Sequence, residues 1–297
     1  DHKILVLSSY LPLLSLYLYT ILLDMNFLTK LDKAITNNDS LLCVGLDPDI
    51  NKIPPHIASQ KDAFFKFNKA IIDVTSNLVC AYKPNSAMYE AAGEDGITQL
   101  KKTCDYINET YPKIPIILDF KRADIGNTNN YYASFAFNYL NVDAITINPY
   151  MGKTANNEFL SYKDKGIIVL CRTSNPGAGE FQDLIIDGKP LYQHVAKNII
   201  DSWNTNDNCL LVMGATYADE LAQVRKIVGP NMVFLVPGVG AQGGDVKSFV
   251  KAGIGANKRG LIINSSRDIL YSSKGKDFAD AAKAKAQEIR NTINNYR

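Results

Sequence analysis

From Leu41 onward, eight short apolar runs alternate with longer segments of helical period. The runs are Leu41–Leu46, Val79–Lys83, Ile114–Phe120, Ala144–Ile147, Ile167–Cys171, Cys209–Met213, Val233–Val236 and Gly260–Ile263. They are continuous rather than alternating, which is the pattern of parallel strands buried on both faces. Between them, Asp62–Asn77 carries Phe64, Phe67, Ile71 and Val74 at helical spacing, and Thr98–Glu109 carries Leu100, Cys104 and Ile107. Further helices are expected at Ile125–Leu140, Thr154–Tyr162, Pro190–Trp203, Tyr217–Ile227, Gly243–Ala252 and Asp277–Tyr296. An open doubly wound sheet would need Gly-x-Gly-x-x-Gly in its first turn, and none is present. The expected fold is therefore α/β, a (β/α)8 TIM barrel forming one domain over residues 25–297, a length normal for that architecture.

Composition narrows the classes. The chain is 46% apolar and 21% charged, enough for a large core. Its net charge of +2, with no run of five basic residues, excludes a nucleic-acid footprint. Five widely spaced cysteines (Cys43, Cys80, Cys104, Cys171, Cys209) lack any Cys-x-x-Cys pair, which points to a reducing, cytoplasmic location rather than a disulfide scaffold or zinc ribbon. With only His2, His56 and His194, a His-based metal site or a Ser/His/Asp triad is not expected. The uncharged stretch Ile4–Leu23 is long enough to span a bilayer, yet Pro12, Ser8, Ser9, Ser15 and Thr20 interrupt it. Residues 1–24 are read as an apolar extension preceding Met25. A membrane leader and a packed extra helix are the alternatives.

Barrel enzymes carry their chemistry at the C-terminal strand ends. Polar residues gather there: Asp47 after the first run, Lys83 and Asn85 after the second, and Asp119, Lys121 and Asp124 after the third. The fifth ends in Arg172–Gly177, the seventh in Pro237–Asp245 and the eighth in Asn264–Asp268. Strand alternation would set Asp119 and Lys121 on one face and Phe120 on the other. Buried charges of opposite sign must pair with each other or with a charged ligand, so a strand-end salt bridge is the bland reading of the 119–124 cluster. Four glycines within 237–244 precede a helix, a backbone cradle suited to phosphate, and Arg267 adds a planar fork one strand later. Lys83 and Lys121 favour ionised carboxylates at Asp47, Asp119 and Asp124, and the carboxylates in turn keep the lysines charged. A charged lysine is a proton donor, not a Schiff-base nucleophile. This combination favours acid catalysis at a carbanion-like centre in a phosphorylated substrate, without a metal. Asp73, Arg122 and Asp268 read as solvated, interface or packing charges.

The segment Asp119-Phe-Lys121-Arg-Ala-Asp124-Ile-Gly-Asn-Thr128 resembles the signature of the orotidine 5′-phosphate decarboxylase family. Gly45–Pro48, Lys83–Asn85, Thr173–Pro176, Pro237–Gln242 and Ser266-Arg267 are similar to that family's other motifs, in order, from Leu41 to about Tyr271. Residues 1–24 have no counterpart. The resemblance implies conversion of orotidine 5′-phosphate to uridine 5′-phosphate and carbon dioxide, with no cofactor. It implies Lys121 as proton donor to C6, Asp119 against the substrate carboxylate, and Lys83 holding the charge network and the ribose. Asp47 and Asn85 would contact ribose hydroxyls, and Ser174 the pyrimidine edge. Gln242 and Arg267, with Pro237 and backbone groups around Gly240 and Ser266, would take the phosphate. Asp124 and Thr128 would serve the neighbouring active site of a homodimer. Two rivals stand beside this: a Mg2+-dependent 3-hexulose-6-phosphate synthase-like aldolase of the same barrel group, and a non-catalytic, membrane-tethered barrel that binds a uridine nucleotide.

Overall fold

All eight apolar runs become parallel strands in the computed structural model, which describes residues 25–238 and 246–297. The strands are β1 (Leu42–Leu46), β2 (Ala81–Pro84), β3 (Ile117–Arg122), β4 (Ala144–Ile147), β5 (Gly166–Arg172), β6 (Cys209–Met213), β7 (Phe234–Pro237) and β8 (Leu261–Ser265). They pair in the order β2-β1-β8-β7-β6-β5-β4-β3. Bridges Tyr82↔Ile116 and Asn85↔Asp119 join β2 to β3 and close the ring. The Tyr82 N–H donates to the Pro115 carbonyl at 3.0 Å across the same seam. This is the expected barrel. Every residue of β1, β2, β4, β6 and β8 is buried, because one face lines the barrel interior and the other meets the helices.

The end that carries no chemistry is closed by a helix, Phe27–Asn38. Asn26 caps it, its Oδ1 accepting from Thr29 N–H at 2.9 Å. Phe27 lies against Gly166, where a Cβ would come within 2.4 Å of the ring. Lys30 pairs with Asp143 at 2.9 Å, and Asp143 also accepts the Ile116 N–H at 2.8 Å. These contacts sit at the starts of β3, β4 and β5 and cover that side of the barrel's N-terminal end. On the outer layer, Phe67 of helix Ala63–Thr75 stacks on Phe278 of the long final helix Phe278–Asn294, ring centroids 5.4 Å apart.

Some boundaries differ from expectation for identifiable reasons. The segment expected as one helix over 125–140 runs as Asn127–Ala133 and then widens into a π turn, Ser134–Tyr139; Leu191–Asn198 does the same into Ile199–Trp203. Pro190 is not helical. It closes a two-residue hairpin in which Ile185–Ile186 pairs with Lys189–Pro190. Asp187 (φ 48°) and Gly188 (φ 75°) make its turn, the left-handed pair that a tight hairpin requires. The segment 1–24, the residues Gly240 and Gln242, and the start of the helix expected at 243 lie outside the described residues. That last helix is described as Val246–Gly253.

Candidate active site

β3 does not run straight into its charges. Ile117 and Leu118 pair with Ala144 and Ile145, but the next partners are Arg122 and Ile147, so Asp119, Phe120 and Lys121 together oppose Thr146. Such a bulge takes the N–H groups of Phe120 and Lys121 off the regular ladder. The Thr146 hydroxyl replaces it, accepting from Phe120 N–H at 2.9 Å and Lys121 N–H at 3.0 Å, and donating to Asp119 Oδ1 at 3.1 Å. Lys121 takes the left-handed conformation at φ 48°, which is costly for a side chain with a Cβ. Asp119 and Lys121 do meet, as the sequence suggests, but through this bulge rather than by plain alternation.

Asp119 lies between two ammonium groups. Lys83 Nζ is 2.8 Å from Oδ2, and Lys121 Nζ pairs with Oδ1. The Lys83 side chain is 3% exposed and that of Asp119 12%, whereas Lys121 is 49% exposed, so the buried pair anchors the site and Lys121 faces outward from it. Burial alone would raise the carboxyl's affinity for a proton. The Lys83 and Lys121 charges outweigh it and hold Asp119 well below the usual carboxylate range. Burial would likewise neutralise Lys83, but Asp119 and then Asp47 overcome it and push the ammonium above its ordinary value. The array at neutral pH is thus one carboxylate with a cation on each side.

Around it, a cleft of about 390 Å³ is lined by Asp47, Lys83, Asn85, Asp119, Pro237, Ser266 and Arg267, all seven expected from the sequence, along with Asn264 and Tyr271. A larger groove of about 630 Å³ opens beside it between Ile50, Phe64 and Met88, but Lys83, Asp119 and Arg267 are not among its walls. Charge, not volume, therefore locates the chemistry. Asp47 is set by its neighbours: Ser266 Oγ donates to Oδ2 at 2.6 Å, and Tyr271 OH donates to the main-chain carbonyl at 2.7 Å. Gly45 permits this, since a Cβ there would stand 2.8 Å from Ser266 Cβ and 3.2 Å from Asp47 Oδ2. Asp47 Oδ1 and Asn264 Oδ1 are buried without a donor among the described residues. Asn85 caps the short helix Ser86–Glu90, its Oδ1 accepting from Ala87 N–H at 3.2 Å.

Lys121 reaches the cleft only through its pair with Asp119, and it is, like Asp124, Thr128 and Ser174, not among the walls. The loop after β3 is shaped by buried Asn129, whose side chain accepts from Asp124 N–H at 2.9 Å and donates to the Asp124 carbonyl at 2.7 Å. Thr128 is left exposed in the first turn of the helix Asn127–Ala133. Ser174, after β5, packs against Gly214, where a Cβ would lie 2.8 Å from Ser174 Cβ. Arg122 behaves as a packing charge: it sits over the Phe120 ring at 4.8 Å and pairs with Glu90. Asp73 is a surface knot, bonded by Lys69 and by the hydroxyls of Tyr106 and Tyr111. Asp49, Lys52, Met88, Asn264 and Tyr271 in the cleft wall, and Thr146 behind Asp119, are members that sequence reasoning did not single out as site residues. Among the described residues, no set of three His, Cys, Asp or Glu side chains is arranged to hold a metal ion, and no helix is long and apolar enough to cross a membrane.

Comparison with known proteins bears on the same cleft. The curated orotidine 5′-phosphate decarboxylase of Cellvibrio japonicus is 53% identical over 272 residues, covering 91% of this chain and 98% of that protein. The solved structure of Leishmania donovani OMP decarboxylase superposes with a TM-score of 0.78 at 38% identity, covering 91% of this chain and 99% of that one. Leishmania donovani UMP synthase superposes with a TM-score of 0.80 at 40% identity, this chain covering 57% of its length. Residues 40–283 match the profile described as the Orotidine 5′-phosphate decarboxylase / HUMPS family, a span that runs from β1 through the last strand and holds every charged group of the cleft. The chain belongs to the Orotidine 5′-phosphate decarboxylase / HUMPS family.

Proposed function

We propose that the chain converts orotidine 5′-phosphate to uridine 5′-phosphate and carbon dioxide, a step in the de novo synthesis of pyrimidine nucleotides. The observation that carries this reading is Asp119 held ionised between Lys83 and Lys121 at the open mouth of the barrel. Breaking the bond between C6 and the substrate carboxylate releases carbon dioxide and leaves the electron pair on C6. Lys121 donates an Nζ proton to C6, forming the C–H bond of the product, and regains a proton from solvent. Asp119 lies against the departing carboxylate and orders Lys121, while Lys83 keeps Asp119 charged and reaches the ribose. Cations already in place at the developing carbanion need no reorganisation during the step, and none of these transfers calls for a cofactor.

The remaining roles follow the cleft outward. Asp47 and Asn85 take ribose hydroxyls, Asp47 through the buried oxygen that meets no donor among the described residues. Ser174 takes the pyrimidine edge. Arg267 and Gln242, with Pro237 and the backbone at Gly240 and Ser266, take the phosphate, whose binding energy can be used to order the reacting end. Asp124 and Thr128 complete the site of a second subunit in a homodimer. Support comes from the exposed apolar side chains in the segments that follow β3 and β4: Ile125 (62%), Tyr131 (72%) in the helix Asn127–Ala133, and Tyr150 (88%). Residues 25–297 form the decarboxylase barrel and 1–24 an extension outside it. The five cysteines are free and buried, and burial pushes the Cys43 thiol up to about 12, which suits a cytoplasmic enzyme.

The test is the fall in near-ultraviolet absorbance when orotidine 5′-phosphate is added with a chelator present. Turnover under those conditions supports the reading. Loss of turnover with chelator, restored by Mg2+, would instead favour the synthase-like chemistry. Tight binding of uridine 5′-phosphate without release of carbon dioxide would indicate a barrel that only binds.

A further inference from the structure

One hydroxyl in this site has all of its hydrogen-bonding capacity committed. A threonine offers one donor and two acceptor lone pairs. Thr146 Oγ1 uses the two lone pairs on the consecutive N–H groups of Phe120 and Lys121, at 2.9 and 3.0 Å, and its proton on Asp119 Oδ1 at 3.1 Å. Thr146 is 1% exposed and belongs to β4, a different strand from the residues it holds. The three residues it bonds are the bulge itself, where the ladder partners skip from Leu118↔Ile145 to Arg122↔Ile147.

We propose that Thr146 is a positioning residue for decarboxylation: its hydroxyl locks the β3 bulge and thereby sets Lys121 Nζ and the Asp119 carboxylate in register with each other. This rests on the decarboxylase reading above and extends it to a residue that touches neither the reacting carbon nor the phosphate. Two arguments support it. Lys121 has φ 48°, a conformation that is unfavourable for a non-glycine residue and persists only where its surroundings over-determine it. The two bonds from Thr146 to consecutive N–H groups supply that determination directly at the strained residue. Second, Phe120 is 3% exposed, so without Thr146 its N–H would lose its partner in a place water does not readily reach. The hydroxyl, not the size of the side chain, is the agent.

Thr146→Val keeps the shape and removes the hydroxyl. In this variant kcat is expected to fall about 10- to 100-fold while KM stays within about threefold, the signature of a lost transition-state arrangement rather than lost substrate binding. The acid limb of the kcat profile should move to higher pH, since Asp119 loses a donor that favours its ionised form. Thr146→Ser should restore kcat to within about threefold of wild type. Unaltered kcat in the valine variant, or failure of serine to rescue while uridine 5′-phosphate still binds, would overturn the proposal. If the valine variant does not fold, Thr146→Cys retains the core volume with only weak hydrogen bonds; reduced kcat with intact product binding supports the role, and wild-type kcat removes it. Absence of any turnover in the wild-type protein would instead count against the decarboxylase reading, before any variant is made.

Discussion

Lys83 Nζ stands 2.8 Å from Asp119 Oδ2 in a pair whose side chains are 3% and 12% exposed, and the two residues come from the strands that close the barrel. The ion pair is therefore part of the seam as well as of the site. Removing one partner of a buried pair typically costs about 3–5 kcal/mol, and because Lys121 still pairs with Asp119 the low end of that range applies here. Lys83→Met, which conserves most of the volume, should lower unfolding free energy by about that amount in denaturant titrations and lose most turnover. A loss below about 1 kcal/mol, the range of a surface pair, would show that the seam does not depend on the pair.

The pH dependence of stability follows from the same two groups. Asp119 is held below the usual carboxylate range, so its contribution is present above the unfolded value near 4 and is lost as pH falls through its folded value. Lys83 is raised, so its contribution is present below the unfolded value near 10.4 and is lost as pH rises through its folded value. The difference in thermal midpoint between wild type and Asp119→Asn should be flat across neutral pH and shrink only in strong acid or strong base. A difference that shrinks between pH 6 and 8 would contradict this assignment.

Gly45 lets β8 approach β1 closely enough for Ser266 to hold Asp47. Gly45→Ala puts a Cβ within 2.8 Å of Ser266 Cβ and must displace one of the three. We expect KM for orotidine 5′-phosphate to rise about tenfold or more, about the cost of one misplaced charge-assisted hydrogen bond, with a smaller effect on kcat. An unaltered KM would mean that the Asp47–Ser266 pair does not shape the substrate site.

The assignment of Asp124 to a neighbouring site makes a prediction that one chain cannot show. Inactive Lys121→Ala and Asp124→Ala proteins, mixed in equal amounts and allowed to exchange subunits, should regain activity approaching about a quarter of wild type, because about half of the dimers are hybrids and each hybrid holds one site with neither change. No recovery, with exchange demonstrated by labelled subunits, would place Asp124 in its own chain's site.

Much of this was legible before any coordinates. Continuous apolar runs admit few readings once eight of them alternate with helices, and charges at the ends of such runs stand out because burial forbids them without partners. Lys83, Asp119, Lys121, Asp47 and Arg267 were visible for that reason. Thr146 was not, because a threonine inside a β-branched run reads as ordinary strand, and its role depends on a bulge in another strand. Tyr271 and Asn264 were hidden likewise: one reads as core, the other as a strand-end polar residue, until the fold brings β8 beside β1. The hairpin at 185–190 escaped because two-residue strands have no periodicity to detect, although Asp187-Gly188 is its proper turn signal. Asp124 and Thr128 belong to the charged signature but stand outside the walls of the cleft.

The central claim is that Lys121, set beside an ionised Asp119, delivers the proton to C6. Its most direct measurement is the rate of carbon dioxide release by Lys121→Ala, taken alongside its affinity for uridine 5′-phosphate. The account predicts turnover reduced by at least about 10⁴-fold, as for removal of a group on which the chemical step depends, with product binding still measurable. Turnover near the wild-type rate would contradict it.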